Sequence, residues 1–228
     1  MWRDQMACFG QHYRVIAMDA LGHGRSDAPA TGYGREDRVD DVIDVLDELR
    51  IEKVHLVGLS MGGSTGIGLA LRYEERLQTL TLASTGAAGY SVGKKIGLID
   101  KIAKEQGLEP ARERWMRNSL VYYKNSAPEL GRLMETMMRE HSGAIWLDKK
   151  RGKYPRLDDL SKIGHLSLPV HIVVGEKDQV FVKLANIIHE KLPDAHFTEF
   201  EGAGHMVNME APDRFNQEVL AFLADHTP

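Results

Sequence analysis

The sequence predicts an α/β fold, a mostly parallel sheet flanked by helices and interrupted by a helical cap insertion. Two observations carry that expectation. Compact apolar runs rich in Val, Ile and Leu recur at 13–19, 54–59, 77–83 and 168–174, with a shorter alternating run at 195–200. Between them, segments such as 36–49 and 184–192 place apolar residues at helical spacing. Alternation of the two patterns is the rhythm of parallel strands joined by right-handed crossovers.

Length and composition set bounds on what such a chain can do. At 228 residues it has the size of one ordinary domain with an insertion. Hydrophobic residues at 43%, charged residues at 27% and a net charge of −4 describe a globular chain and argue against nucleic-acid partners. The single Cys8 excludes an intramolecular disulfide framework and fits a reducing, cytoplasmic setting. No apolar run approaches the ~18 residues of a membrane span. No Cys/His cluster has zinc spacing, and neither a dinucleotide loop nor a Walker-type loop occurs, so no metal and no cofactor is expected.

Taken in order, residues 2–10 read as a short helix leading into a buried strand at 13–19, which ends in the loop Ala20-Leu-Gly-His-Gly-Arg-Ser-Asp-Ala-Pro29. From 36 to 49, Val39, Val42, Ile43, Leu46 and Leu49 make one helical stripe. The acidic residues opposite them, Asp37, Asp40, Asp41, Asp44, Asp47 and Glu48, read as a solvated face rather than a metal site. A strand at 54–59 runs into Gly58-Leu-Ser-Met-Gly62, a helix occupies 61–73, and the next strand lies at 77–83. The rhythm then breaks. Residues 1–88 form the first part of the α/β core, 89–165 the helical cap, and 166–228 the second part of the core. The cap is expected to hold helices near 94–106, 110–124 and 128–141. Its large side chains, Trp115, Tyr122, Tyr123, Met134, Met137, Met138 and Trp146, serve mainly as the helices' own core and in part to line an apolar pocket. The last helix begins near Pro212, with Phe215, Val219, Phe222 and Leu223 turned inward.

The stretch that bears chemistry is Gly58-Leu-Ser-Met-Gly62. A serine between two glycines at a strand-to-helix junction is held on a tight turn, and a Cβ at 58 or 62 would crowd the crossing backbones. Alone, the pattern is also that of a serine capping a helix. Context decides between the two. In a parallel sheet the turns after strand C-termini gather on one edge, so Ser60 can meet Asp178, after the run at 168–174, and His205, on the Gly-rich loop after 195–200. A serine hydroxyl needs a base to take its proton, and a carboxylate on the far imidazole nitrogen fixes the tautomer of that base.

With these motifs in place, the chain resembles an α/β-hydrolase of the small serine esterase and lactonase type, almost end to end. Gly58-Leu-Ser-Met-Gly62 is similar to the nucleophile elbow, Gly175-Glu-Lys-Asp178 to the acid turn, and Gly202-Ala-Gly-His205 to the base loop. Arg14-Val-Ile-Ala-Met-Asp19 with Gly22-His-Gly-Arg-Ser26 resembles the strand and loop before the elbow. The resemblance implies Ser60, Asp178 and His205 as catalytic residues and the backbone N–H of Met61 as one oxyanion donor. It implies a cofactor-free hydrolase acting on an ester or lactone of a small, largely apolar molecule. Carbon–carbon bond hydrolysis on the same triad, and a non-catalytic small-ligand-binding or truncated, inactive homologue, stay open. The family draws its second oxyanion donor from a His-Gly loop upstream of the part matched here, so the sequence is expected to lack the N-terminal strand that carries it. Two rivals for the site roles lose to this assignment. His23 would precede the serine and break the chain order, and Glu176, at the start of its turn, reads as a surface charge.

Overall fold

The computed structural model describes residues 1–90, 96–117, 127–150 and 153–227. In chain order it contains α1 (Arg3–Phe9), α2 (Arg35–Glu48), β1 (Val54–Leu59), α3 (Met61–Tyr73), β2 (Leu77–Ala83), α4 (Ile96–Gln106), α5 (Leu108–Met116) and α6 (Pro128–Glu140). These are followed by β3 (Val170–Gly175), α7 (Gln179–Lys191), β4 (His196–Phe200), α8 (Val207–Glu210) and α9 (Pro212–Ala224). The four strands form one sheet in the order β1-β2-β3-β4, and every neighbouring pair is parallel.

The chain divides into two compact units, the first made of Met1–Ala17, Val39–Tyr90 and Arg156–Pro228 and the second of Met18–Arg38 and Ser91–Pro155. In the first unit β2 and β3 are the central strands. Leu80, Leu82, Ala83, Ile172, Val173 and Val174 are buried there, as are Thr79, Thr81 and His171, so both faces of these two strands are covered. The close approach of α3 to this sheet rests on its small residues: a Cβ on Gly66 would come within 2.8 Å of Leu56 and 2.9 Å of Leu80. The N-terminal α1 packs on α9, where Gln5, almost fully buried, donates to the Asn208 carbonyl at 3.1 Å and to Asn216 Oδ1 at 3.0 Å. A buried amide with both donors satisfied fixes one register between the two ends of the chain.

The run at 13–19, expected as a strand, is not one. It has no regular structure, and Ile16 and Met18 are 41% and 40% exposed. A strand is a property of a pair, since its N–H and C=O groups need a neighbour's ladder, and among the described residues no strand pairs with this segment. Its loop nevertheless has internal order: Asp19 Oδ2 accepts the Arg25 N–H at 3.0 Å and the Asp19 carbonyl accepts Ser26 Oγ–H at 2.6 Å.

The second unit has its own small core. Ala103, Ala111, Met138 and Trp146 are buried together, with Ile99, Ile102, Leu108, Trp115, Met116 and Ile145 packed around them. Of the large cap side chains, Trp115, Met138 and Trp146 serve this core, while Tyr122, Tyr123 and the end of the helix expected at 110–124 lie outside the described residues. In the same unit the His141 and His23 rings meet edge to face at 4.6 Å. Burial first, then the His23 and Arg112 charges, push His141 down to about 4.

Where the chain leaves the first unit and where it returns, it is tied to itself. Asp159 is 1% exposed, its Oδ2 accepts the Ala88 N–H at 2.7 Å, and its own N–H donates to the Ala88 carbonyl at 3.0 Å.

Within the sheet, His171 on β3 is fully buried; its Nε2 lies 2.9 Å from Thr198 Oγ1, and its Nδ1 has no hydrogen-bond partner among the described residues. Burial first, and the neighbouring His196 second, push its pKa down to about 3 from 6.5. The unfolded chain therefore binds a proton that the folded chain refuses between about pH 6.5 and pH 3. This contribution to stability is present above pH 6.5 and is lost as pH falls toward 3. Urea midpoints measured across that window are expected to fall with pH, and to fall less steeply in a His171→Gln variant.

Candidate active site

The three side chains singled out from sequence all sit just past strand C-termini, and the parallel sheet brings those ends to one edge. Ser60 follows the last residue of β1, Asp178 lies three residues beyond β3, and His205 five residues beyond β4. The turns are fastened by hydrogen bonds that extend the sheet past its strands: Ser60 N–H donates to the Ala83 carbonyl at 2.9 Å, and Ser84 N–H to the Val173 carbonyl at 2.8 Å.

Ser60 has φ 52° and ψ −108°, a left-handed conformation that non-glycine residues rarely adopt. Such strain persists only where the surroundings over-determine it. Here they do. A Cβ at Gly58 would lie 2.5–2.6 Å from the backbone of Gly62 and Gly63, so strand and helix can cross at this distance only with glycine at 58. The second tight position differs from the expectation. A Cβ at Gly62 would meet nothing within 4 Å, whereas one at Gly63 would collide with Thr85 Oγ1 and lie 3.0 Å from the Gly58 carbonyl.

The strained turn presents Ser60 Oγ to His205 Nε2 at 3.0 Å, and His205 Nδ1 lies 2.7 Å from Asp178 Oδ2. An ionised carboxylate can only accept, so Nδ1 carries the proton and Nε2 is left as the acceptor for the serine hydroxyl. The Asp178 side chain is fully buried and that of His205 is 7% exposed. Phe181, in the first turn of α7, lies against the imidazole with ring centroids 4.8 Å apart. A base held between a buried carboxylate and an aromatic ring has little freedom to turn away from its serine.

The Met61 amide opens α3. The first main-chain bond of that helix runs from Ser64 N–H to the Ser60 carbonyl at 3.0 Å, so the Met61 N–H lies ahead of the helix ladder. His23, the rival base, belongs to the second unit, where its Nδ1 lies 3.1 Å from the Leu21 carbonyl.

Two carboxylates have roles that the sequence does not announce. Glu176, expected as a surface charge, is exposed but accepts the Gly202 N–H at 2.8 Å, tying the acid turn to the base loop. Glu210, at the end of α8, accepts N–H groups on both sides of His205. Neither carries a motif, because both act on main-chain amides of a loop. The one signal was steric: Gly175 sits where a Cβ would strike the Gly204 carbonyl and lie 2.6 Å from that of Ala203, so the acid turn and base loop touch. Among the described residues, no group of three or more His, Cys, Asp or Glu side chains could hold a metal ion, and no helix is long and apolar enough to cross a membrane.

Comparison with known proteins bears directly on this geometry. The family model described as "Alpha/beta hydrolase family" matches residues 1–218. The chain belongs to the α/β-hydrolase family. Among its curated relatives is 3-oxoadipate enol-lactonase 2 of Acinetobacter baylyi, 29% identical, with 98% of this chain and 83% of the relative covered. Another, the 2-hydroxy-6-oxononadienedioate/2-hydroxy-6-oxononatrienedioate hydrolase of Paraburkholderia phymatum, is 32% identical, covering 92% of this chain and 76% of that protein. Among solved structures, the fold matches a thermophilic esterase from Thermogutta terrifontis with a TM-score of 0.88 at 24% identity, over 99% of this chain and 85% of that one. This α/β-hydrolase thus shares its family with enzymes named for an enol-lactone and an oxo acid, which supports a hydrolase acting on small molecules.

Proposed function

We propose that this α/β-hydrolase cleaves a carboxylic ester or lactone of a small, largely apolar substrate through an acyl-enzyme on Ser60. The observation that carries the reading is the unbroken hydrogen-bond chain from Ser60 Oγ through His205 to Asp178 at the sheet edge. In the first half-reaction Ser60 Oγ attacks the carbonyl carbon while His205 Nε2 takes the hydroxyl proton, and the Met61 N–H stabilises the oxyanion. Collapse of the tetrahedral intermediate breaks the bond to the leaving alkoxide, which receives that proton from His205. In the second half-reaction water attacks the acyl carbon, gives its proton to the same nitrogen, and the acid leaves as Ser60 recovers its own. Asp178 holds the tautomer throughout and stabilises the imidazolium. No cofactor enters these steps. In this reading the helical cap, 89–165, sets substrate selectivity, and the enzyme works in the cytoplasm.

The relative named for hydrolysis of 2-hydroxy-6-oxo dienedioates favours a second reading, carbon–carbon bond hydrolysis of an oxo acid on the same three residues. One experiment separates the two. The purified protein is offered 3-oxoadipate enol-lactone, short-chain p-nitrophenyl esters and a 2-hydroxy-6-oxo dienoate, and is treated in parallel with a fluorophosphonate probe. Turnover of the lactone or esters with labelling at Ser60 is the expected result. Turnover of the oxo acid alone moves the assignment to the second reading, and a protein that neither turns over nor labels overturns both.

A further inference from the structure

The base loop, residues 201–206, is irregular between the end of β4 and the four-residue α8, yet His205 must stay within hydrogen-bond reach of two other elements. Glu210 accounts for how it does so. Its Oε2 accepts the Gly204 N–H at 2.8 Å and its Oε1 accepts the Met206 N–H at 2.9 Å. The two donors are the residues immediately before and after His205, so one carboxylate brackets the Cα of the base. The Glu210 main chain closes the same loop from the other side, because its N–H donates to the Met206 carbonyl at 2.9 Å. The absence of a side chain at 204 makes room for this bracket, since a Cβ there would lie 3.2 Å from both Glu210 oxygens.

Resting on the serine-hydrolase reading above, we propose that Glu210 is a positioning residue for the reaction, a two-oxygen clamp that sets the distance and angle of His205 to Ser60. Acceptors elsewhere support the same loop, but at its periphery: Glu176 Oε2 takes Gly202 N–H, and the Ala203 carbonyl takes Lys177 N–H at 2.8 Å. Of these main-chain bonds, the pair at Gly204 and Met206 is the one that flanks the base. The clamp also explains why a carboxylate stands here rather than its amide. Glutamine offers one oxygen and one NH₂, and the NH₂ would face an amide N–H, donor against donor. Aspartate keeps both oxygens but is one methylene too short to reach both amides from the same backbone position.

The test uses Glu210→Gln and Glu210→Asp, with the rate of Ser60 labelling by a fluorophosphonate and steady-state turnover of a p-nitrophenyl ester as readouts. Misplacement of a base by about an ångström slows its reaction by about 10²-fold. Both variants are therefore expected to lose about 10–10²-fold in kcat and in labelling rate, with KM changed less than about threefold, the glutamine variant the more affected. The acidic limb of the kcat/KM–pH profile, which reports the base, is expected to move in the same variants. Near-UV circular dichroism at the assay temperature certifies that the folded protein is being read. Wild-type protein that fails to label indicts the serine-hydrolase reading. Wild-type protein that labels, with both variants folded and labelling at the wild-type rate, overturns the clamp while leaving that reading standing. Loss of folding in both variants assigns Glu210 to stability alone and overturns it too.

Discussion

Replacing Ser60 by alanine is expected to lower kcat by about 10⁶-fold, to the level of what oxyanion stabilisation and binding alone can supply. The reason lies in the division of labour at the sheet edge. Without Oγ there is no atom for the acyl group to join, and His205 Nε2, 3.0 Å from where that oxygen stood, has no hydroxyl to deprotonate. The elbow itself should survive, because its tight crossing depends on Gly58 and Gly63 and not on the serine hydroxyl. The measurement is steady-state turnover together with fluorophosphonate labelling. Retained turnover in a folded Ser60→Ala protein would remove the acyl-enzyme from the mechanism, and persistent labelling would place the reactive nucleophile elsewhere.

Asp178→Asn is expected to cost about 10⁴-fold in kcat with little change in thermal stability. The buried carboxylate accepts from Nδ1–H of His205 at 2.7 Å and thereby keeps Nε2 unprotonated. An asparagine can turn its NH₂ toward Nδ1, which then becomes the acceptor, and the proton moves to Nε2, where it faces the serine as a second donor. The expected loss is in kcat rather than KM, since Asp178 is shielded behind His205. Were the variant to keep wild-type turnover, Asp178 would be an ordinary structural anion and the base would owe its orientation to Phe181 and the Glu210 clamp.

Much of this was legible in the chain because it is local. Val54–Leu59, Leu77–Ala83 and Val170–Gly175 are short runs of apolar and β-branched residues bounded by loops or glycines, and the α3 helix begins where Gly58-Leu-Ser-Met-Gly62 says it must. That Ser60, Asp178 and His205, past the ends of β1, β3 and β4, share one sheet edge follows once the strands are parallel. What escaped was non-local or depended on phase. The run at 13–19 has the composition of a strand, but its pairing depends on a neighbour that its own residues do not specify. Whether Gly62 or Gly63 meets the packed side of the elbow turns on a 100° step around the helix, which spacing alone does not resolve. Glu176 and Glu210 bind amides rather than side chains, so no pair of residue types announces them.

The knot at Ala88 and Asp159 has a consequence for how this protein can change. Because the first unit holds together the points where the chain departs and returns, the ends of the excursion at 91–155 are joined by bonds that do not depend on its content. Closing a longer or shorter excursion over a fixed neck alters the chain entropy by only ~0.6 kcal/mol per doubling of length. The intervening helices can be lengthened, trimmed or exchanged at small thermodynamic expense to the sheet that carries Ser60, Asp178 and His205. Under the role proposed above for the cap, selectivity is thereby free to drift at a rate the chemistry is not.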